Sequence, residues 1–291
     1  MPDALPPGTI KNGYEIVKAV NRGAFAIAYE AKTATNESVF FKQYRLPNPE
    51  IAWFNGFVNH QLEIKKTIEE DLNTRNRCYR FIEFFVDYEF YQVFEFIENG
   101  LFLAEFFDNP KELSLSKRLY FAEMLMSGIK ALHDLKIIHS DLKPDNIFLV
   151  KDNKEDRYKL KIIDVDWAFF SDKQAPWHGT QGYVGTFGYM SPEHIDGKTP
   201  SQASDIFTCG IILGQLLTGQ HPFHESLDET YNHSAFKGRF SPIMLSSTSN
   251  SNEVTVLETL LNLCLDPKPD NRPSAGQVHA ALVCVRKNLT Y

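Results

Sequence analysis

The stretch IIHSDLKPDNIFLV, residues 137–150, sets His139, Asp141, Lys143, Asp145 and Asn146 between two apolar runs. Apolar flanks hold a backbone inside a protein, where ionisable groups are costly unless each has a partner, a metal or a task. The residue types suggest the task. A carboxylate at Asp141 can take a proton from an attacking hydroxyl, and Lys143 can neutralise phosphate charge. Asn146 can offer its oxygen to a divalent metal. A second metal ligand comes in LKIIDVDWAFF, where Asp164 closes the strand-like run Leu160–Ile163. A base, a charge-neutralising lysine and two oxygen ligands are what phosphoryl transfer requires.

Those residues need a frame. From Tyr14 to Phe96 the pattern is short apolar or alternating runs, YEIVKAV, AIAYEAK, SVFFKQY, RFIEFFVDYE and FYQVFEFI, which read as strands. One helical segment interrupts them, FVNHQLEIKKTIEEDL, with Val58, Leu62, Ile64, Ile68 and Leu72 as its apolar stripe. Past Asn99-Gly100 the pattern turns helical. SKRLYFAEMLMSGIKALHDL carries Leu119, Met124, Ile129 and Leu132 on one stripe and starts near Leu113-Ser114. DIFTCGIILGQLLTG predicts a buried helix stopped by Gly219. NEVTVLETLLNLCL and AGQVHAALVCVRKNL predict two more, after a polar loop, SPIMLSSTSNSNE, which is the best candidate for local disorder. The expected class is α+β. A small, mostly antiparallel five-stranded lobe with one helix occupies about residues 12–98, and a larger, mainly helical lobe about 99–291.

Composition narrows the partners. The 291 residues leave ample length for a core, and 30 basic against 37 acidic residues give a net charge of −7. Nothing in that balance favours nucleic acid. No apolar run approaches the ~18 residues of a membrane span. The N-terminal MPDALPPGTIKNG lacks a basic start and an apolar core, so it does not read as a signal peptide. Cys78, Cys209, Cys264 and Cys284 are too widely spaced for a disulfide framework or zinc site and read as reduced core residues. His221 and His224 in HPFH read as a surface loop rather than zinc ligands. The triplets at Asn36, Asn232 and Asn288 match the glycan acceptor pattern by chance, and a cytoplasmic location is expected.

With these residues in order along almost the whole chain, the sequence resembles the eukaryotic-like serine/threonine protein kinases. The catalytic-loop pattern His-Arg-Asp-x-x-x-x-Asn appears as His139-Ser140-Asp141 through Asn146, in the DLKPDN form. GTFGYMSPEH matches the end of an activation segment, with Ser191-Pro192-Glu193. The start of the chain, LPPGTIKNGYEI and RGAFAIAYEA, also resembles bacterial members. The resemblance implies ATP and Mg²⁺ or Mn²⁺ as cofactors and a protein substrate. It makes Asp141 and Lys143 catalytic, and Asn146 and Asp164 metal ligands. For nucleotide binding it designates Val20, Gly23, Ala28 and Lys42, the last held by Glu63. Backbone groups of Glu95 to Ile97 would meet adenine, with Phe94 lining the back of that pocket. His139 and Asp205 would shape the catalytic loop, Glu193 and Arg272 would form a buried ion pair, and Thr186 would hydrogen-bond near Asp141 and Lys143.

Three positions depart from the family pattern. The glycine loop reads Asn21-Arg22-Gly23-Ala24-Phe25-Ala26, keeping only its middle glycine. Asp-Phe-Gly becomes Asp164-Val165-Asp166, where Asp166 either caps a turn, the favoured reading, or adds a carboxylate beside the metals. Ser140 replaces the arginine that binds an activation-loop phosphate, so activity is expected to depend little on phosphorylation at Ser171, Thr180 or Tyr183. The altered glycine loop and Asp164-Val165-Asp166 also fit a pseudokinase that serves as a nucleotide-binding scaffold. The complete set of charged groups favours the enzyme.

Overall fold

The computed structural model describes residues 4–23, 25–107, 113–152, 157–179, 185–224, 230–245 and 252–289. Ala24, Thr180, Tyr183 and residues 246–251 of the polar loop lie outside them. The chain forms two compact units. One runs to Arg75 and includes Tyr79–Asn99; the other joins Asn76–Cys78 to the chain from Gly100 onward.

The first unit is a six-stranded antiparallel sheet in the order β1-β2-β3-β4-β6-β5. Its strands are β1 (Ile10–Lys11), β2 (Tyr14–Arg22), β3 (Ala26–Lys32), β4 (Ser38–Tyr44), β5 (Phe81–Asp87) and β6 (Glu89–Glu95). Alternation assigns the faces. Ile16, Ile27, Tyr29, Ala31, Val39, Phe41, Tyr91 and Val93 pack into one buried layer. Lys42, Tyr44, Phe90, Gln92 and Phe94 alternate with that layer, so they stand on the opposite face, where Phe54 and Phe57 of helix α1 (Phe54–Glu70) meet Phe90 edge-on.

Two elements exceed the five strands and one helix expected. Strand β1 closes a hairpin on β2 through Asn12 and Gly13, both at positive φ, the two-residue turn that Asn-Gly favours. A short helix α2 (Leu72–Arg77) follows α1, because Asp71 is extended there and its carboxylate accepts the Thr74 N–H at 2.8 Å. The stripe on α1 also differs. Leu62 and Leu72 are exposed, and the buried face holds Phe54, Phe57, His60, Gln61, Ile64, Lys65 and Ile68.

The second unit starts with β7 (Gly100–Phe102), which pairs with β9 (Ile147–Asp152), itself paired with β10 (Arg157–Ile162). Helix α3 (Leu115–Asp134) begins where the Ser114 hydroxyl accepts the Lys117 N–H at 3.3 Å. Strand β8 (Ile137–Ile138) pairs with β11 (Phe169–Phe170). Helices α4 (Pro192–Ile195), α5 (Gln202–Thr218), α6 (Tyr231–Lys237), α7 (Asn252–Cys264) and α8 (Ala275–Leu289) complete the unit. The run Ser204–Gly214 of α5 is wholly buried, and the helix ends at Gly219 in the left-handed region. Any Cβ at Gly210 would lie 2.7 Å from the Cys264 Cβ, so α5 and α7 approach as closely as they do only with glycine there. Cys78, Cys209 and Cys264 are buried free thiols, whereas Cys284 is exposed, which corrects its reading as a core residue. Among the described residues, no helix is long and apolar enough to cross a membrane.

Candidate active site

The apolar runs of the opening stretch are β8 and β9, and the residues between them are fixed through their backbone. Asp205 of α5, buried, accepts the His139 N–H at 2.9 Å and the Ser140 N–H at 3.0 Å, and its Oδ2 lies 3.0 Å from His133 Nε2. Ser140 has φ +66°, costly for a residue with a Cβ, and the paired bonds to Asp205 hold it there. His139 is fully buried with Nε2 3.1 Å from the Ile163 carbonyl. The Ile163 N–H donates to the Asn146 carbonyl at 3.0 Å, so the loop is stitched to the residue before Asp164.

Side chains then converge. Asn146, buried in a short 3₁₀ turn, donates its amide to the Asp141 carbonyl at 2.8 Å, which leaves its amide oxygen as the group that can face a cation. Thr186 donates its hydroxyl to Asp141 Oδ1 at 2.8 Å and accepts from Lys143 Nζ at 3.3 Å. Lys143 Nζ stands 3.9 Å from Asp141 Oδ2. A carboxylate, an ammonium and an orienting hydroxyl are thus within reach of one reacting group. Asp164 takes a left-handed conformation, φ 61°. An amide oxygen and a carboxylate are hard donors that suit a small divalent cation whose remaining ligands are phosphate oxygens and water. Among the described residues no group of three or more His, Cys, Asp or Glu could hold a metal.

The segment after Asp164 is anchored by its own contacts. Val165 and Asp166 are buried within the short 3₁₀ turn Val165–Trp167. Ser140 donates its hydroxyl to the Trp167 carbonyl at 2.9 Å, so this side chain is bonded to the segment that follows Asp164. Trp167 meets Trp177 edge-on at 5.5 Å, Phe169 meets His178 at 4.7 Å, and the Ser171 N–H donates to the Lys136 carbonyl at 2.7 Å. Sequence reasoning missed Trp177 and His178, because an isolated aromatic in a polar stretch carries no periodicity. Farther on, the Thr208 and Tyr231 hydroxyls donate to the carbonyls of Tyr189 (2.7 Å) and Met190 (2.8 Å). His221 is no surface histidine. It is buried with Nε2 3.0 Å from the Gly188 carbonyl, its Nδ1 accepts the Phe223 N–H, and burial pushes its pKa down to about 4. Glu193 and Arg272 form a bidentate pair at 2.7 and 2.8 Å.

In the first unit, Lys42 lies on β4 in register with Ala28 and Gln92, with its Nζ 5.3 Å from the centre of the Tyr44 ring. Glu63 is exposed on α1, while Gln61 and Lys65, one helical turn apart, occupy its buried face. The buried face keeps Ile64 and Ile68 of the apolar stripe but turns Leu62 to solvent. Val20 is 46% exposed at an irregularity of β2. Gly23 donates its N–H to Ala26 O at 2.9 Å, and a Cβ there would meet that oxygen only at 3.4 Å, so no neighbour demands glycine. The Glu95 N–H donates to the Arg80 carbonyl at 3.0 Å. Burial raises the Tyr79 hydroxyl pKa, against a backbone hydrogen bond from Ile97. Phe94 is buried against Phe40, Tyr79 and Phe81.

Residues 14–282 match the family model of the protein kinase domain. The chain is 29% identical over 233 residues to Aurora/IPL1-related protein kinase 2 of Caenorhabditis elegans, covering 76% of this chain and 68% of that protein. It is 27% identical over 279 residues to serine/threonine-protein kinase plk-2 of the same organism, covering 96% and 41%. Against CBL-interacting serine/threonine-protein kinase 14 of Arabidopsis thaliana the identity is 29% over 291 residues, covering 95% and 60%. The chain therefore spans less than two thirds of the latter two proteins.

Proposed function

This chain belongs to the protein kinase family as a domain of the serine/threonine type, and we propose that it transfers the γ-phosphoryl group of ATP to serine or threonine hydroxyls of protein substrates. The observation that carries the reading is the Asp141–Thr186–Lys143 cluster. Asp141 accepts the proton of the attacking hydroxyl as the new oxygen–phosphorus bond forms and the bond to the β-phosphate oxygen breaks, releasing ADP. Lys143 neutralises charge on the phosphoryl group in passage. Lys42 holds the α- and β-phosphates. Asn146 and Asp164 would hold Mg²⁺ or Mn²⁺, which supplies charge neutralisation for the phosphates. The buried free thiols support a reducing, cytoplasmic location.

Incubation with γ-labelled ATP and a generic protein substrate, in separate Mg²⁺ and Mn²⁺ arms, is expected to place label on serine or threonine. Nucleotide binding without transfer in either arm would instead make the chain a scaffold.

The reading includes constitutive activity. In kinases that order this segment by phosphorylation, a guanidinium pairs with the phosphate. Here the first half of the segment is held by the Ser140 hydroxyl, the β8–β11 pairing and the Trp167–Trp177 contact. Protein stripped by a phosphatase is expected to keep its activity within about tenfold, the equivalent of 1.4 kcal/mol. A larger loss, restored by rephosphorylation, would mean that another cation has taken the arginine's place.

A further inference from the structure

We propose that Tyr44, oriented by Gln92 and Lys65, is the positioning residue that aims Lys42 at the nucleotide phosphates. The inference rests on the kinase reading of Lys42 and goes beyond it by naming what holds that lysine. Lys42 and Tyr44 are two residues apart on β4, so both side chains rise from the same face. The Lys42 ammonium lies over the Tyr44 ring, at 5.3 Å from its centre, where the negative face of the ring attracts a cation. Tyr44 is itself buried and packed on Phe90 at 5.0 Å, so the ring cannot swing away.

Its hydroxyl is fixed as well. Tyr44 donates to Gln92 Oε1 at 3.1 Å, and the same oxygen accepts from Lys65 Nζ at 2.6 Å. An ammonium can only donate, so the amide of Gln92 must present its oxygen to this pair and cannot be flipped. Gln92 is the cross-strand partner of Lys42, which puts Lys42, Tyr44 and Gln92 on one patch of sheet. Lys65 closes the relay from α1. It is 4% exposed, and its ammonium sits over the rings of Phe81 at 4.3 Å and Phe94 at 5.2 Å. A lysine held in that way, on an apolar floor with a charge-assisted bond, fixes its amide partner more firmly than a neutral donor would. The path from helix to phosphate-binding lysine therefore runs Lys65, Gln92, Tyr44, Lys42.

Lys42 acts on phosphates and not on adenine, so the test compares ATP with adenosine. Binding of both is titrated for the wild type, Tyr44→Phe, Tyr44→Leu, Lys65→Met and Lys65→Arg, with KM for ATP and kcat measured beside it. Tyr44→Leu removes both ring and hydroxyl, and is expected to weaken ATP binding about tenfold while adenosine affinity stays within about twofold. Tyr44→Phe keeps the ring and is expected to lose about threefold, as is Lys65→Met, with Lys65→Arg restoring most of the loss. Should Tyr44→Leu fail to fold, the isosteric Tyr44→Phe and Lys65→Met carry the test. Equal losses for ATP and adenosine, or an ATP preference unchanged in the variants, would overturn the inference alone. A wild-type protein that holds ATP no more tightly than adenosine would overturn the kinase reading, and this inference with it.

Discussion

Asp141→Asn is expected to lower turnover by roughly 10²–10⁴ while leaving nucleotide affinity and melting temperature near those of the wild type. The separation follows from how the residue is held. The loop backbone is set by Asp205, through the His139 and Ser140 N–H groups, and by the Asn146 amide on the Asp141 carbonyl. None of these bonds involves the Asp141 side chain. The substituted amide keeps an oxygen that can accept the Thr186 hydroxyl, so its orientation survives. What it loses is basicity, together with the negative charge that stands 3.9 Å from Lys143. Single-turnover assays with saturating ATP isolate that loss. Phosphorylation at the wild-type rate would remove Asp141 from the chemistry. A fall in turnover matched by a fall in melting temperature would assign it a structural role.

How legible this was in the sequence depends on the range of the interactions. The catalytic loop compresses its chemistry into eight residues, His139 to Asn146, with strands on both sides that declare themselves by their apolar runs. Local rules also located the Ser114 cap and the Gly219 stop. Reading failed where a polar side chain is buried by a distant partner. On α1, hydrophobicity favours Leu62, but the face that packs carries Gln61 and Lys65, and Lys65 donates there to the side-chain oxygen of Gln92, 27 residues on. His221 is the same case, since the Gly188 carbonyl that meets its ring lies 33 residues back. The Asn12-Gly13 hairpin is the opposite case: its signal is local and strong, and it was missed because its strand is only two residues long.

Arg272→Met is expected to be the most destabilising single change, by about 3–5 kcal/mol, because it leaves the Glu193 carboxylate buried without its charge partner. The Arg272 side chain is fully inaccessible and that of Glu193 is 10% exposed, so water cannot take the guanidinium's place. The arginine binds more than the carboxylate. Its Nε donates to the Asp266 carbonyl and one terminal nitrogen to the Ala203 carbonyl, both at 2.8 Å, while the guanidinium lies over the Phe207 ring. Glu193 in turn accepts the Ser204 hydroxyl at 2.6 Å. Burial raises the Glu193 pKa, but Arg272 and Ser204 outweigh it and hold the carboxyl below its usual value. A carboxylate lowered on folding stabilises above its unfolded pKa, and that contribution is lost as pH falls through the folded value. The wild type should therefore lose stability below the ordinary carboxylate range by an amount that Glu193→Gln does not show. Adding Glu193→Gln to Arg272→Met removes the stranded charge and should restore part of the loss. Denaturant titrations of the four proteins at pH 7 and at a pH below the ordinary carboxylate range measure both effects, and a double variant no more stable than Arg272→Met would place the cost in the carbonyl bonds of Arg272 instead of the ion pair.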